Sequence, residues 1–414
     1  MKTWITYLTS LLLGLATALL LGDAAWGLPL FGTLYTLAIN TGTLLALAMV
    51  VVSTTSAFAS LRKDGLGSRT AGISLAWTLV TALALPLMTG LVCAAFPVVF
   101  PVSTTAGSGS VAPSYVSSVF ANAWQLTTSG DPTVYLSAAD SFLVPVVLLA
   151  LVMGWALKPD ADIIKPAYIT MNSLSEVMYR IARATSYFGY FLVFLTSCYM
   201  FSVTYQEKTF FVDGTFSALL VAVPLCLSLV VLPVLFEIFT KGKGNPYKTL
   251  YRNLACQIAA LTSGNYIFSM PFTMAGARYN DGVQKRISSS ASPLFYLFTR
   301  GGSAAVATFS IITLIASVTG AAVDIPTSLL IALACALMSF VASLSSGFEI
   351  MFITIAAMKL MGIDLFSAEV TMLGLLPLLS GLGTMVDTQI ALLGSTIVAR
   401  RIGVDVCPSY KDIM

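Results

Sequence analysis

The sequence predicts an all-α integral membrane protein with eight transmembrane helices and two opposed re-entrant helical hairpins. Of its 414 residues, 57% are hydrophobic and only 9% are charged, and the mean hydropathy is +0.90. Soluble domains usually contain about 25% charged residues, so most of this chain is expected to lie within a bilayer. Long apolar runs recur along the whole chain, and lysine and arginine are concentrated in alternate loops.

Eight apolar runs are candidates for membrane-spanning helices, because a span needs about 20 apolar residues, each rising about 1.5 Å. They cover residues 4–22, 28–61, 71–101, 141–157, 166–204, 215–240, 291–318 and 366–399. The first run follows Lys2, as the apolar core of a signal peptide would. It is longer than the usual core of about 7–15 residues, so we interpret it as a helix.

The distribution of lysine and arginine sets the orientation of these spans. Basic residues cluster in segments 62–69, 158–165 and 241–252 and after the last span, whereas segment 102–140 has none and segment 205–214 has only Lys208. Both termini are therefore predicted to lie in the cytoplasm, with the chain in the inner (plasma) membrane of the cell. Segment 102–140, rich in Ser, Thr, Gly, Ala and Pro, is predicted to be a flexible extracytoplasmic loop.

Two segments are interrupted by polar or helix-breaking residues. In residues 241–290, "TSGNY" and Pro271 interrupt an apolar stretch whose basic flanks face the cytoplasm; in residues 319–364, "SLSSG" interrupts a stretch that enters from outside. Broken helices at bilayer depth occur only inside protein or beside a water-filled cavity. A pair that enters from opposite faces is typical of a transporter binding site. The alternative is two ordinary helices with small-residue kinks.

Two charged residues lie in or beside apolar helices of the C-terminal half. Arg300 interrupts the run 291–318, and Glu349 directly follows the second break. An arginine at the centre of a bilayer costs about 3 to 17 kcal/mol, depending on the scale, so it is a functional-site candidate. Glu349 could equally lie at the solvated edge of a cavity.

A third charge, Asp387, lies well inside the last apolar span. Ser380, Thr384, Asp387 and Ala391 are spaced by four, three and four residues, which places them on one helical face. An intramembrane carboxylate is a functional-site candidate. It could instead pair with Arg300 to tie two helices together, and the two interpretations are compatible.

The composition also excludes several classes of function. The chain contains no histidine, which removes imidazole proton relays, Ser-His-Asp triads and histidine-ligated metal sites. Its six cysteines form no CxxC pair, and no Walker A sequence is present. We therefore expect neither an enzyme nor an ATP-driven pump. A net charge of +3 does not indicate nucleic acid as a partner.

Four stretches between residues 140 and 401 carry a family resemblance. They are "LSEVMYRIARATSYFGYFLVF" (174–194), "GNPYKTLYRN" (244–253), "SMPFTM" (269–274) and "GTMVDTQIALLGSTIVARR" (383–401). In order and spacing they resemble the fifth helix, the approach to the first hairpin, the segment after its tip and the eighth helix of the dicarboxylate/amino acid:cation symporters. This family comprises the glutamate transporter homologues, and the eighth-helix match is the most specific.

The resemblance implies a division of the chain into two working parts. The first three helices (1–101) and the fourth and fifth helices (141–204) would form a trimerising scaffold, separated by the loop 102–140. The other segments would form a transport domain that moves elevator-fashion: the sixth helix (205–240), first hairpin (241–290), seventh helix (291–318), second hairpin (319–364) and eighth helix (365–401). Residues 402–414 would be a cytoplasmic tail. We thus expect a homotrimer surrounded by lipid.

The first hairpin tip has two possible placements on the resemblance. The family has a serine-rich tip, and "SSSAS" occurs at 288–292. A tip there would leave too few residues for the return limb, whereas anchoring on "MPFT" places it at 264–269. We adopt the second placement, which puts the triple serine at the cytoplasmic approach to the seventh helix.

The departures from the family pattern concern charged site residues. The family's sodium-ligating aspartate of the seventh helix falls on Gly301, its side-chain-binding arginine on Gly383, and its amino-binding aspartate on Ser380. The cation-site positions are therefore Thr299, Gly301, Asp387 and Ala391, with no firm sodium site among them.

The candidate substrate-binding residues combine these helices with both hairpin tips. They are Asn265, Tyr266, Arg300, Ser345, Ser346, Gly347, Ser380, Thr384 and Asp387. Asp387 and Glu349 are the candidate proton carriers. No cofactor is implied.

The function predicted is secondary transport of a small carboxylate-bearing solute, such as an amino acid or a dicarboxylate, without sodium coupling. Arg300 would hold a permanent positive charge against Asp387 where the family places a mobile cation. The alternatives are a sodium- or proton-coupled symporter of the same substrates, and a non-transporting sensor or anion-conducting protein on the same scaffold. Fold alone does not choose between them.

Overall fold

The computed structural model describes residues 3–22, 26–101, 143–157, 162–207, 210, 213–342, 349–361, 372 and 374–403. Every secondary-structure element in these ranges is a helix. The extracytoplasmic loop predicted at 102–140, the second hairpin tip with Ser345, Ser346 and Gly347, and the tail after residue 403 lie outside them.

Seven helices in the described part of the chain are long and apolar enough to cross a membrane. They cover Thr3–Leu21, Gly27–Lys63, Gly67–Ala95, Lys165–Gln206, Gly214–Thr240, Lys285–Thr319 and Leu376–Ile402. The chain is therefore a multi-pass membrane protein. The fourth run predicted from the sequence, 141–157, contains a described helix of 14 residues, Leu143–Ala156.

The N-terminal half consists of five long or short helices in sequence order. These are α1 (Thr3–Leu21), α2 (Gly27–Lys63), α3 (Gly67–Ala95), α4 (Leu143–Ala156) and α5 (Lys165–Glu207). Arg62 and Lys63 end α2, where cations stabilise the partial negative charge of a helix C-terminus.

The sixth span is divided by a π-helical turn. It comprises α6 (Gly214–Cys226), the π turn Leu227–Val231 and α7 (Leu232–Thr240). Pro224 lies inside α6 and Pro233 in the first turn of α7. Proline removes a backbone donor and clashes with the preceding turn, so the wider π turn falls between the two prolines.

The first interrupted segment folds as a short helix followed by a helix pair. These are α8 (Pro246–Arg252), α9 (Leu254–Ser263) and α10 (Tyr266–Tyr279). Gly264 ends α9 with φ +58°, a left-handed conformation that glycine adopts without steric cost. Asn265 then caps α10, its side chain accepting a hydrogen bond from Phe268 N at 3.0 Å. The turn thus lies inside the tip predicted at 264–269.

The seventh span is broken near its middle. α11 (Lys285–Phe298) and α12 (Gly301–Thr319) are separated by Thr299, which is extended, and Arg300. The "SSSAS" stretch at 288–292 lies within α11, so the rejected placement of the hairpin tip there is also excluded by the structure. The remaining helices are α13 (Ile325–Ser339), α14 (Glu349–Leu360) and α15 (Leu376–Ile402).

The helices pack as two groups. In the N-terminal group, α5 packs along α1 and α2, and α4 packs on α2. In the C-terminal group, α15 lies at the centre, in contact with α9, α10, α11 and α12, and its most apolar 18-residue stretch is entirely buried. α3 packs mainly on α12 and α13. Its Trp77 donates a hydrogen bond to the carbonyl of Ile390 in α15 at 2.9 Å.

Ion pairs join the two groups at one end of the helices. Glu176 of α5 accepts two hydrogen bonds from Arg278 Nη2, at 3.0 and 2.9 Å, and lies 3.6 Å from Lys285 Nζ. Asp64, which follows α2, pairs with Arg286 of α11. These residues belong to segments that the basic loops predict to be cytoplasmic.

Candidate functional site

The break in the seventh span creates a helix N-terminus inside the protein, and Asp387 of α15 caps it. Asp387 Oδ1 accepts from Gly302 N at 2.7 Å, and Oδ2 accepts from Ser303 N at 3.2 Å and Ser303 Oγ at 2.6 Å. The first amides of a helix have no partner within the helix and attract negative charge. Both oxygens of this buried carboxylate are therefore engaged by α12.

Glycine allows α12 and α15 to approach closely at this point. A Cβ on Gly302 would lie 2.6 Å from Val386 Cβ and 2.7 Å from the carbonyl oxygen of Gly383. A Cβ on Gly383 would lie 3.0 Å from Ser303 Cα. The position of the family's side-chain-binding arginine is thus part of a helix contact in this chain.

Arg300 lies at the break with its guanidinium buried beside an acid and an aromatic ring. The residue is 1% exposed, and Nη2 lies 3.7 Å from Oε1 of Glu349, which is also 1% exposed. The guanidinium carbon lies 4.0 Å from the ring centroid of Tyr266, a cation–π distance. Three predicted site residues, from α10, the break and α14, therefore meet.

Arg300 and Asp387 do not form the direct ion pair that the sequence suggests, although they are close enough to interact electrostatically. Among the described residues, the carboxylate within ion-pair distance of Arg300 is that of Glu349. Asp387 instead turns to the amides of Gly302 and Ser303. The physical reason is that three hydrogen bonds with short, fixed geometry satisfy the carboxylate at the helix N-terminus.

Tyr266 connects this cluster to the first hairpin tip and to α15. Its ring stacks on Tyr296 with centroids 3.9 Å apart, and its hydroxyl donates to the backbone carbonyl of Asp387 at 3.2 Å. The Tyr296 hydroxyl lies 2.6 Å from Thr273 Oγ1 and 3.2 Å from Ser269 Oγ. Arg300 thus rests on a rigid aromatic pair.

Buried polar atoms at the site lack protein partners. Among the described residues, Arg300 Nε and Nη1 and the hydroxyl of Ser380 have no hydrogen-bond partner. Buried polar groups in native proteins are almost always hydrogen-bonded, because an unmade bond costs about 1–3 kcal/mol. Nε and Nη1 lie on different edges of the guanidinium, and each can form the two-bond fork that binds a carboxylate only together with Nη2, which faces Glu349.

The other predicted substrate-binding residues have structural contacts. Asn265 caps α10, and Thr384 donates to the carbonyl of Ala260 in α9 at 2.9 Å. Ser380 lies against the hairpin tip, its Cβ 3.2 Å from where a Cβ on Gly264 would be. These contacts fasten α15 to the first helix pair.

The predicted cation-site positions are largely occupied by protein contacts. The hydroxyl of Thr299 lies 3.0 Å from that of Thr78 in α3. A Cβ on Gly301 would lie 2.8 Å from the carbonyl oxygen of Thr81, and Ala391 is buried on α15. Asp387 contributes the one carboxylate among these four positions.

Three residues of the cluster, Gly302, Ser303 and Tyr296, were not among the sequence-predicted site residues. Ser303 supplies two of the donors to Asp387, and Tyr296 stacks on Tyr266. Ser303 could have been found, since a helix that starts inside a protein requires an acceptor for its first amides. Tyr296 has no distinguishing signal in the sequence.

Comparison with known families gives one match over nearly the whole chain. The protein-family model described as "Sodium:dicarboxylate symporter family" matches residues 4–401. No curated protein matches the chain.

Proposed function

The chain belongs to the sodium:dicarboxylate symporter family, and on that premise we propose that it is a secondary transporter of a small carboxylate-bearing solute that works without sodium. The family is one of transporters and not of enzymes. The observation that carries the proposal is the buried guanidinium of Arg300. Two of its donors have no partner among the described residues.

The substrate's carboxylate is assigned to Arg300 because a solute there gains two charge-assisted hydrogen bonds. Arginine remains protonated when buried and presents a planar fork. Contacts of this kind are roughly twice as strong as neutral hydrogen bonds. The ring of Tyr266, against which the guanidinium lies, holds that fork in one orientation.

Sodium independence is supported by the residues at the cation-site positions. Gly301 and Ala391 stand where the family pattern has acids. Both carboxylate oxygens of Asp387 accept hydrogen bonds, from Gly302 and Ser303. A hard cation needs several oxygen ligands with negative charge nearby. Arg300 would supply, permanently, the charge that a cation supplies elsewhere.

An elevator movement is supported by the division into two helix groups. The interface between them includes the Glu176 ion pairs at one end, and such polar contacts can break and form again when one group moves past the other. The sequence-based expectation assigned all of residues 1–101 to the scaffold. We instead include α3 in the moving group, since Trp77 and Thr78 bond to α15 and to the break before α12. In the same proposal, the two helix pairs α9–α10 and α13–α14 are re-entrant hairpins that open to opposite faces.

The scaffold formed by α1, α2, α4 and α5 is proposed to assemble as a homotrimer. Phe188 and Phe191 of α5 are 70% and 57% exposed, which provides apolar surface for lipid or for another copy. Chemical crosslinking in membranes should give a species of three chains. Recovery of single chains alone at every crosslinker concentration would contradict the proposed homotrimer.

The proposal is tested by uptake into proteoliposomes of labelled lactate, succinate, L-serine and L-aspartate. At least one carboxylate should accumulate or exchange, and Arg300→Met should abolish this while the purified variant remains folded. An ion current without uptake of any of these solutes would overturn the proposal and favour an anion-conducting protein.

A further inference from the structure

Glu349 occupies a position that a substrate carboxylate would also require. It is the first residue of α14, and its carboxylate is the acidic partner of Arg300 among the described residues. The pair is not fully formed, because 3.7 Å between Nη2 and Oε1 exceeds the 2.7–2.9 Å typical of charge-assisted bonds. The guanidinium is thus neutralised while two of its donors stay available.

Charged and titratable groups face Glu349 from several of the described helices. Arg300 faces it from the start of α12 and Tyr266 from α10, and Tyr35 of α2 is close enough to interact electrostatically. Asp387 of α15 is held by Gly302 and Ser303, and α13 contains no charged residue. Among the described residues, Arg300 is the cation within ion-pair distance of Glu349.

A second carboxylate at Arg300 would give the buried site an excess negative charge. Two carboxylates that share a desolvated site cannot both remain ionised, so one of them takes a proton. An uncompensated buried charge is strongly destabilising. The entering anion keeps its charge if it makes the bidentate contact with Arg300, and Glu349 then becomes the protonated group.

We propose that Glu349 is a built-in placeholder for the substrate, which the substrate's carboxylate displaces from Arg300 as Glu349 binds one proton. Without solute the site holds Arg300 as a cation and Glu349 as an anion. With solute it holds Arg300 as a cation, the solute as an anion and Glu349 as a neutral acid. Each cycle therefore carries one carboxylate and one proton, and no net charge.

The same geometry narrows the substrate class to monocarboxylates. An ammonium group would need an anionic partner, but Asp387 has both oxygens engaged and Glu349 is neutral in the loaded state. A second carboxylate would need a second cation, and Arg300 is the cation of this site in the described part of the chain. This inference rests on the proposed function, since it assigns the substrate and the coupling of that same site.

The first experiment measures lactate binding to the purified protein between pH 6 and 8. Because one proton binds with each solute, the apparent Kd should rise roughly tenfold per pH unit on the alkaline side. Glu349→Gln mimics the neutral acid and should bind lactate with the same Kd at every pH. Asp324→Asn, which changes an exposed acid that caps nothing, should retain the wild-type slope.

The second experiment measures labelled lactate uptake into proteoliposomes, with protein-free liposomes as the control for passive entry. An alkaline interior should drive accumulation, and a potassium diffusion potential should not change its rate. Glu349→Gln should lose accumulation. If this variant does not fold, Glu349→Asp is compared with the wild type by infrared difference spectroscopy with and without lactate. The wild type should gain the band of a protonated carboxyl group when lactate binds. In Glu349→Asp this band should lie at a different frequency.

The possible results distinguish failure of the Glu349 proposal from failure of the proposed transport function. Voltage-driven lactate uptake, or an unchanged pH slope in Glu349→Gln, would refute the placeholder while lactate exchange still supported transport. Preference for succinate or L-serine over lactate would refute the substrate class. Absence of exchange for all four labelled solutes would refute the proposed function itself.

Discussion

The guanidinium of Arg300 lies 3.7 Å from the carboxylate of Glu349, and both side chains are almost completely buried. Breaking such a pair by removing one partner leaves an uncompensated buried charge and costs about 3–5 kcal/mol. The pair also joins the break in the seventh span to the start of α14. A ligand that competes for Arg300 therefore acts on the helix that begins at Glu349.

Substitution of Asp387 should destabilise the start of α12. Asp387→Asn keeps one acceptor for Gly302 N but presents an amide NH₂ where Ser303 N and Oγ donate. Loss of these charge-assisted bonds should lower the stability by on the order of 1–3 kcal/mol. Thermal unfolding in detergent measures the change, with the exposed Asp324→Asn as the control. Equal melting temperatures for both variants would contradict the capping role.

Close packing between α12 and α15 is tested by adding one methyl group. Gly302→Ala would bring a Cβ to 2.6 Å from Val386 Cβ and 2.9 Å from Asp387 N. Overpacking of this kind typically costs about 1–3 kcal/mol. In the control Gly72→Ala, the new methyl meets nothing within 4 Å on α3, and alanine favours helix by about 1 kcal/mol. The melting temperature should fall for the first variant and not for the second.

The ion pairs of Glu176 should slow the movement of one helix group past the other. Glu176→Gln weakens the contacts with Arg278 and Lys285 while leaving the Arg300 site untouched. We expect faster exchange of labelled solute at unchanged binding affinity, because the contact must break in each elevator cycle. Glu237→Gln, an exposed acid on α7, is the matched control. An exchange rate that is unchanged or lower in Glu176→Gln would contradict the proposal that these ion pairs slow the movement.

Much of the helix order follows from composition alone. The predicted run 28–61 corresponds to α2, and the predicted tip at 264–269 contains the turn at Gly264. Both could be predicted because the length of an apolar run, and the preference of glycine for a left-handed turn, depend on the local sequence. α11 begins at Lys285, before the predicted 291, since its serines are buried against other helices. Ser289 lies 2.9 Å from the hydroxyl of Tyr179, and Ser292 lies 3.3 Å from Ser395.

The partners within the candidate site depend on tertiary structure and could not be read from spacing. Sequence analysis identified Arg300, Glu349 and Asp387 as unusual charges but placed Arg300 directly against Asp387, whereas its ion-pair partner among the described residues is Glu349. Helical periodicity places residues on a face, and it does not specify which side chains meet across three helices. The cap that Asp387 forms on Ser303 exists only because the break in the seventh span faces α15.

Asp281, between α10 and α11, should make the stability of the protein depend on pH. Burial raises the pKa of its carboxyl to about 7, despite a hydrogen bond from Asn253 and the nearby charges of Arg252 and Arg400. The folded state thus binds a proton that the unfolded state, with an Asp pKa near 4, does not. This contribution to stability is fully present below about pH 4 and is lost as the pH rises to about 7.

Asp281→Asn replaces the acid with a neutral group of the same shape and should remove this dependence. Its melting temperature should match that of the wild type near pH 4 and exceed it at pH 8, by a free energy on the order of 4 kcal/mol. Thermal unfolding across this range is the measurement. Parallel curves for the two proteins would show that Asp281 does not titrate in the folded state.

The central claim is that Arg300 replaces the mobile cation, and the initial rate of solute uptake in sodium buffer compared with choline buffer tests it most directly. Proteoliposomes that contain the wild-type protein should take up labelled lactate at equal initial rates in both buffers. Arg300→Met should show no uptake, or uptake that has become cation-sensitive. A steep dependence of wild-type uptake on sodium would contradict the account.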